Sequence, residues 1–318
     1  MIYTFTANPS LDKLFILDKL LVGQYNRGEV ARYDPGGKGI NVSRCLKALG
    51  VESVVLGFFA GSTGDFLINS LRQHGLTVDP IIIDGESRSN ITLIESATGQ
   101  MTKLNEYGPV VDYEAHQSIL KKISEKTQIG DIWIISGSAL PGLPDDFYAS
   151  MIEVIKKHGG LTFLDTSGKW LIHGYQATPN LLRINTLEAE IALNRKLTTR
   201  EELYKAIRMI SKRGISLTVI SMGSRGALLT DSKSLYDVTA PKVDEKTTVG
   251  AGDAMMAMIV YGYVHGWSLE KIAVWSVAAG SASVMQEGTA TVTSEQVQPL
   301  LDRVNVKKLI IPLMIRIK

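Results

Sequence analysis

The stretch TTVGAGDAMM, Thr247 to Met256, decides how this chain reads. Gly250-Ala251-Gly252 is a turn of small residues that leaves backbone N–H groups room to face a ligand. A mostly apolar helix is predicted directly behind it, and a helix N-terminus adds partial positive charge. That pairing awaits an anion. Asp253 must then either start the helix, a place Asp favours, or do chemistry beside the anion. A bare carboxylate next to a phosphate weakens its binding by repulsion. A base that takes the proton of a hydroxyl attacking a phosphoryl group fits better. Phosphoryl transfer needs mainly positioning, charge neutralisation and one residue to orient the nucleophile. The stretch is not a dinucleotide fingerprint, because Met255 stands where the last glycine belongs.

Outward from this stretch, the runs IYTFTA (2–7), SVVLGFF (53–59), DIWIIS (131–136), LTFLD (161–165), LLRIN (181–185) and LTVIS (217–221) predict strands. Amphipathic segments such as INVSRCLKALG and DDFYASMIEVIKKHG lie between them and end in helix-stop signals. Alternation of this kind predicts βαβ units and a mainly parallel sheet covered on both faces. Residues 11–34 and 90–105 break the pattern and predict a small β-flap. A flap over a cleft closes on substrate and excludes water; ordinary surface hairpins are the other reading. The expectation is one domain over residues 1–318, with a lid from about 11–34 and 87–107. The C-terminal LIIPLMIRIK is apolar and basic, and reads as a docked tail or edge strand.

Two further stretches handle anions. In DPGGKGINVSR, Asp34 to Arg44, small residues let the backbone approach a phosphate, and Lys38 adds a mobile charge. It is not a nucleotide P-loop: Gly39 follows the lysine, where that motif needs a hydroxyl. Asn41 stands one step into the predicted helix, where it can donate to a sugar hydroxyl. SMGSRGA, Ser221 to Ala227, follows a strand, at the end where open parallel sheets bind ligands. A plain turn between two strands explains it equally well. Ser136, Asp165 and Asn185 also end predicted strands. Asn185 and Glu188 share a helix face and either hold Mg²⁺ through water or cap the helix.

Composition excludes several classes. With 318 residues, 45% hydrophobic and 21% charged, the chain builds a core without staples. A net charge of +2 argues against nucleic acid or a membrane surface as partner. One cysteine, Cys45, excludes an internal disulfide, suits a reducing cytoplasm and reads as a small buried residue. The start MIYTFTANPS reads as a strand, not a signal peptide. No run reaches the roughly 18 apolar residues of a membrane span. The five histidines show no zinc-ligand spacing.

Taken in order, NPSLD (8–12), YNR (25–27), PGGKGINVSR (35–44), KLNEYGP (103–109), SGSALPG (136–142), LDTSG (164–168), SMGSRGA (221–227) and TVGAGDAM (248–255) resemble the PfkB, or ribokinase-like, carbohydrate kinases. Within them the chain is similar to the sugar-phosphate branch that contains 1-phosphofructokinase and tagatose-6-phosphate kinase. The resemblance implies a three-layer α/β/α fold with a mainly parallel central sheet and a β-sheet lid that serves as a homodimer contact. It implies ATP as phosphoryl donor, with Mg²⁺. By that likeness Asp253 is the catalytic base and Gly250, Ala251 and Gly252 form the anion hole. Ser221, Gly223, Ser224, Gly226 and Asn185 take the nucleotide, and Glu188 takes the metal through water. Asp12, Gly37, Lys38, Asn41, Asn105 and Ser136 take the sugar phosphate, with Arg27 and Arg88 on its phosphate. The implied substrate is fructose 1-phosphate, with tagatose 6-phosphate as the alternative. A non-catalytic sugar-phosphate sensor is a third reading. The chain departs from the family at Arg183-Ile184-Asn185, where Lys-Pro-Asn is usual, at Leu140 in SGSALPG, and at Tyr107 in KLNEYGP.

Overall fold

Alternate residues of a strand point to opposite faces of its sheet, and here each face finds its own helices. The computed structural model describes residues 1–286, 288 and 291–309. The chain opens with β1 (Ile2–Thr6), β2 (Ser10–Leu17), β3 (Glu29–Gly36) and α1 (Lys38–Ala48). Next come β4 (Val54–Ala60), α2 (Gly61–Gln73), β5 (Thr77–Ile83), β6 (Arg88–Glu95) and β7 (Met101–Asn105). Regular alternation follows: α3 (Tyr113–Lys126), β8 (Ile132–Ser136), α4 (Phe147–Lys157), β9 (Leu161–Asp165), α5 (Gly168–Gln176) and β10 (Leu181–Asn185). Helices α6 (Thr186–Leu193) and α7 (Arg200–Ser211) lead to β11 (Leu217–Ser221), β12 (Ala227–Thr230) and β13 (Leu235–Thr239). Last are α8 (Ala251–Val264), α9 (Leu269–Val284), α10 (Ser294–Val297) and β14 (Asn305–Leu309).

Trp133 and Ile135 of β8 pack with Ile119, Met151, Leu171 and Ile207 from α3, α4, α5 and α7. Their neighbours Ile132 and Ile134 pack with Leu46, Met256 and Ala278 from α1, α8 and α9. Helix α2 closes that second face by setting Leu67 and Leu71 on Val55 and Phe59. The result is a three-layer, ribokinase-like α/β/α fold.

The main sheet runs β14-β13-β12-β11-β10-β9-β8-β1-β4-β5. From β11 to β5 every pairing is parallel. β12, β13 and β14 add an antiparallel end. All six predicted strands are present. Pro80 sits in β5, an edge strand, where a missing N–H is tolerated. Leu309 ends β14, and residues 310–318 of the predicted tail lie outside the described residues.

A second, four-stranded sheet runs β3-β2-β6-β7. Its central pair β2–β6 is parallel and its flanks are antiparallel. One row across it reads Asp34, Asp12, Asn90, Asn105. The adjacent row carries Tyr33, Ile91 and Leu104, which the pleat turns to the other face. Among the described residues, no helix is long and apolar enough to cross a membrane.

Candidate active site

Three neighbouring parallel strands end in polar residues on one side. Phe163, Leu181 and Val219 pack towards α8 and α9, so Asp165, Arg183 and Ser221, each two residues further on, point the same way. The register Leu181↔Phe163 and Leu182↔Leu164 brings Arg183 beside Asp165. Arg183 Nη1 donates to Asp165 Oδ2 at 3.0 Å, and Nη2 donates to Ser221 Oγ at 3.0 Å. Lys38, the first residue of α1, donates from Nζ to the other Asp165 oxygen at 2.7 Å. One buried carboxylate thus ties the glycine-rich loop at Gly37 to the strand ends.

Helix α8 begins over these strands. Gly250 is its N-cap, with φ +87°, a conformation that favours glycine. Gly252 is needed for another reason: a Cβ there would lie 2.5 Å from both terminal nitrogens of Arg183. Asp253 follows, only 6% exposed. It makes no capping bond at the helix start. Its Oδ2 instead accepts from Asn41 Nδ2 at 2.8 Å, which joins α1 to α8. Asn41 therefore orients Asp253, and its own Oδ1 is buried without a partner.

Burial pushes the Asp253 carboxyl up to about 6, with Lys38 pulling the other way and Asp165 adding to the rise. Burial works against the Asp165 carboxylate as well, but Lys38 and Arg183 together hold it below its ordinary value. Burial also works against the Lys38 ammonium, yet the Asp165 carboxylate wins and its pKa is raised. At neutral pH the site presents two fixed cations, one fixed anion and one carboxylate close to its titration range. Such tuning is what a general base requires.

A cavity of about 530 Å³ opens beside the α8 turn. Ser221, Gly223, Ser224, Gly226 and Asn185 line its polar part, with Arg183, Ala251 and Gly252 at the end formed by the α8 turn. Val243, Met255, Val277 and Val284 form an apolar wall fit for a flat aromatic base. Asn185 and Glu188 form a reciprocal capping box on α6. Glu188 Oε2 accepts from the Asn185 backbone at 2.7 Å, and burial raises its pKa. Capping is thus a direct role of this pair in the structure.

The small sheet supplies the other side. Asp12 accepts from Ser10 Oγ and Asn90 Nδ2, both at 2.8 Å, and burial raises its pKa. Asp12, Asn90 and Asn105 line a cavity of about 190 Å³ between this sheet and Lys246–Val249. Asn105 also borders a cavity of about 420 Å³ that holds Arg88, Ser138 and Lys169. Arg88 donates to the backbone oxygens of Asn8 at 3.2 Å and Glu106 at 3.4 Å, and burial lowers its pKa.

Two expected residues stand apart. Arg27 lies in the exposed segment between β2 and β3 and borders none of these cavities. Ser136 is fully buried at the end of β8, paired in register with Asp165, with its Oγ unpartnered, and borders none of these cavities; Ser138 lines the Arg88 cavity. Conversely, Asp165 and Arg183 were visible only as a strand-end acid and a departure from a motif. The sign of their role was strand periodicity, which puts both on the α8 side.

A buried carboxylate in the first turn of a glycine-capped helix, over the polar ends of parallel strands, fits a carbohydrate kinase of the ribokinase-like class. The chain belongs to the pfkB family of carbohydrate kinases, whose model matches residues 13–296. It is a phosphotransferase with an alcohol group as acceptor. A 1-phosphofructokinase of Bacillus subtilis (strain 168) is 34% identical over 309 residues, 97% of this chain and 100% of its own length. A tagatose-6-phosphate kinase of Staphylococcus epidermidis (strain ATCC 35984) is 30% identical, covering 96% of this chain and 99% of its own. The crystal structure of phosphofructokinase-2 from Escherichia coli in complex with potassium superposes with a TM-score of 0.91 at 29% identity. It covers 95% of this chain and 98% of that one.

Proposed function

We propose that this chain is an ATP-dependent sugar-phosphate kinase that converts fructose 1-phosphate and ATP to fructose 1,6-bisphosphate and ADP. The observation that carries this reading is Asp253, buried, aimed by Asn41 and set in the first turn of α8. The sugar lies between Asp253 and the Asp12–Asn90–Asn105 row. Its 6-hydroxyl oxygen attacks the γ-phosphorus of ATP and gives its proton to Asp253. The bond from that phosphorus to the β–γ bridging oxygen breaks, and ADP leaves with the electron pair. Backbone N–H groups of Gly250, Ala251 and Gly252 stabilise charge on the moving phosphoryl oxygens. Lys38 and Arg88 hold the phosphate the sugar already carries, a task suited to charge-assisted hydrogen bonds. ATP occupies the large cavity, with Ser221, Gly223, Ser224 and Gly226 around its phosphates and the apolar wall under its base.

Mg²⁺, bound with the nucleotide, supplies charge neutralisation on the phosphates. Among the described residues no group of three His, Cys, Asp or Glu side chains converges to hold an ion by itself. This donor set would suit an ion carried by phosphates and water, and Glu188 would orient one such water. The lid is residues 11–34 and 87–107 of a single kinase domain. Tyr33 and Leu104 are exposed on its outer face and support a homodimer formed through the lid. Arg27 lies in the exposed segment between β2 and β3, so it would reach a sugar phosphate through lid movement or from a second copy. The buried Cys45 thiol, pushed up to about 11 by burial, forms no disulfide and suits the cytoplasm.

The test is ADP release with fructose 1-phosphate, fructose 6-phosphate and tagatose 6-phosphate. Fructose 1-phosphate should give the highest kcat/KM. Preference for tagatose 6-phosphate would favour the second reading, which the Staphylococcus relative motivates. If no sugar turns over while one raises the melting temperature, the chain is a sensor.

A further inference from the structure

We propose that Arg183 is a catalytic residue whose guanidinium contacts the phosphoryl group in transit between ATP and the sugar. This rests on the kinase reading above and adds a residue to its reacting centre. Arg183 lines the nucleotide cavity, at the end formed by Ala251 and Gly252. The other cation on that lining, Lys242, is exposed, so Arg183 is its one buried cation among the described residues. The packing against Gly252 puts the guanidinium in contact with the amide turn itself. Backbone N–H groups and a fixed positive charge therefore converge on one spot.

Its bonds leave capacity for a ligand. A guanidinium has five N–H donors. One donor of Nη1 goes to Asp165 and one of Nη2 to Ser221. Nε is buried without a partner. Asp165 is shared with Lys38 at 2.7 Å, so it does not belong to Arg183 alone. A planar fork can keep one edge on Asp165 and Ser221 while another meets phosphoryl oxygens, which an ammonium cannot do. As the hydroxyl oxygen bonds to phosphorus and the bridging oxygen departs, charge shifts over the oxygens around this atom. A cation already in place then needs no reorganisation.

The experiment compares wild type with Arg183→Met and Arg183→Lys. Three readouts are needed: steady-state kinetics, melting temperature, and affinity for ADP with and without aluminium fluoride in the presence of sugar phosphate. Arg183→Met should lower kcat by roughly 10²–10³, with the KM for sugar phosphate changed by less than about threefold. It should lose affinity for ADP with aluminium fluoride by about tenfold or more while binding ADP alone normally. Arg183→Lys restores charge and should recover part of kcat. If Arg183→Met does not fold, Arg183→Gln, which keeps a hydrogen-bonding amide, is read the same way. Near-normal kcat, or equal loss of affinity with and without aluminium fluoride, would overturn the proposal. Absence of wild-type turnover with every sugar phosphate would instead overturn the kinase reading.

Discussion

Under the first turn of α8, Lys38, Asp165 and Arg183 are already bonded to one another, and Asn41 is bonded to Asp253. Across the cleft, Lys103, Leu104 and Asn105 of β7 stand exposed. The phosphoryl-transfer side is thus finished before any ligand arrives, because it is built from strand ends and helix starts buried in the core. A preorganised site loses nothing to reorganisation during the reaction. The small-sheet side is more open, with β7 exposed at its edge; on the reading proposed above, substrate or another chain covers it. On the proposed reading, the chemistry belongs to the bonded side and sugar choice to the small sheet.

Substitutions on the two sides should separate accordingly. The largest effect is expected from Asp253→Asn, with kcat lower by roughly 10²–10⁴, the range for a positioned base. Affinity for both substrates, measured by calorimetry, should hold. Lys38→Met removes a cation at the junction of the two sides, so the KM for sugar phosphate should rise by about tenfold to a hundredfold. The KM for ATP should move much less; equal changes in both would blur the division. Leu104→Glu lies wholly on the lid. It should weaken self-association in sedimentation and change the melting temperature little, as surface substitutions do within about 0.5 kcal/mol. A monomer–dimer balance unaffected by this charge would detach the lid from assembly.

The smallest effect sharpens the comparison from the stability side. The pKa of Asp253 is raised in the folded chain, so the native state binds more protons than the unfolded one between about 4 and 6. Its contribution is therefore favourable at low pH and is lost as pH rises through 6. Asp253→Asn should then melt higher than wild type at pH 8, by about 1.5 °C for each kcal/mol relieved, while losing turnover. A lower melting temperature would place Asp253 among the stabilising residues instead.

Much of this was legible in the sequence. The strand-to-helix alternation and the polar residues that end strands follow from apolar periodicity, which buried parallel strands display plainly. The glycines around Lys38 and Asp253 announce backbone close to an anion. Less legible were contacts fixed by register between distant strands. Nothing near Arg183 in sequence tells that it meets Asp165, or that Gly252 is small because a guanidinium lies against it. Asn41 read as a sugar donor, yet its nearest partner is an acid 212 positions away. Ser136 read as a ligand contact because it ends a strand; in the fold it is buried in register with Asp165, while Ser138, two residues on, borders the Arg88 cavity. The edges β5 and β14 were obscured by Pro80 and by the lysines of NVKKL, which protect sheet edges.

The central claim is that Asp253 accepts the proton of the attacking hydroxyl. The pH dependence of kcat/KM, in wild type and in Asp253→Asn, tests it most directly. Wild-type activity should fall on the acid side with an apparent pKa near 6, because the protonated carboxyl cannot act as base. Phosphate monoesters also titrate at about 6, so the residual activity of Asp253→Asn is the reference for the substrates alone. The account predicts that the wild-type profile falls more steeply with acid than that reference. Two profiles of the same shape, or near-normal turnover in Asp253→Asn, would contradict it.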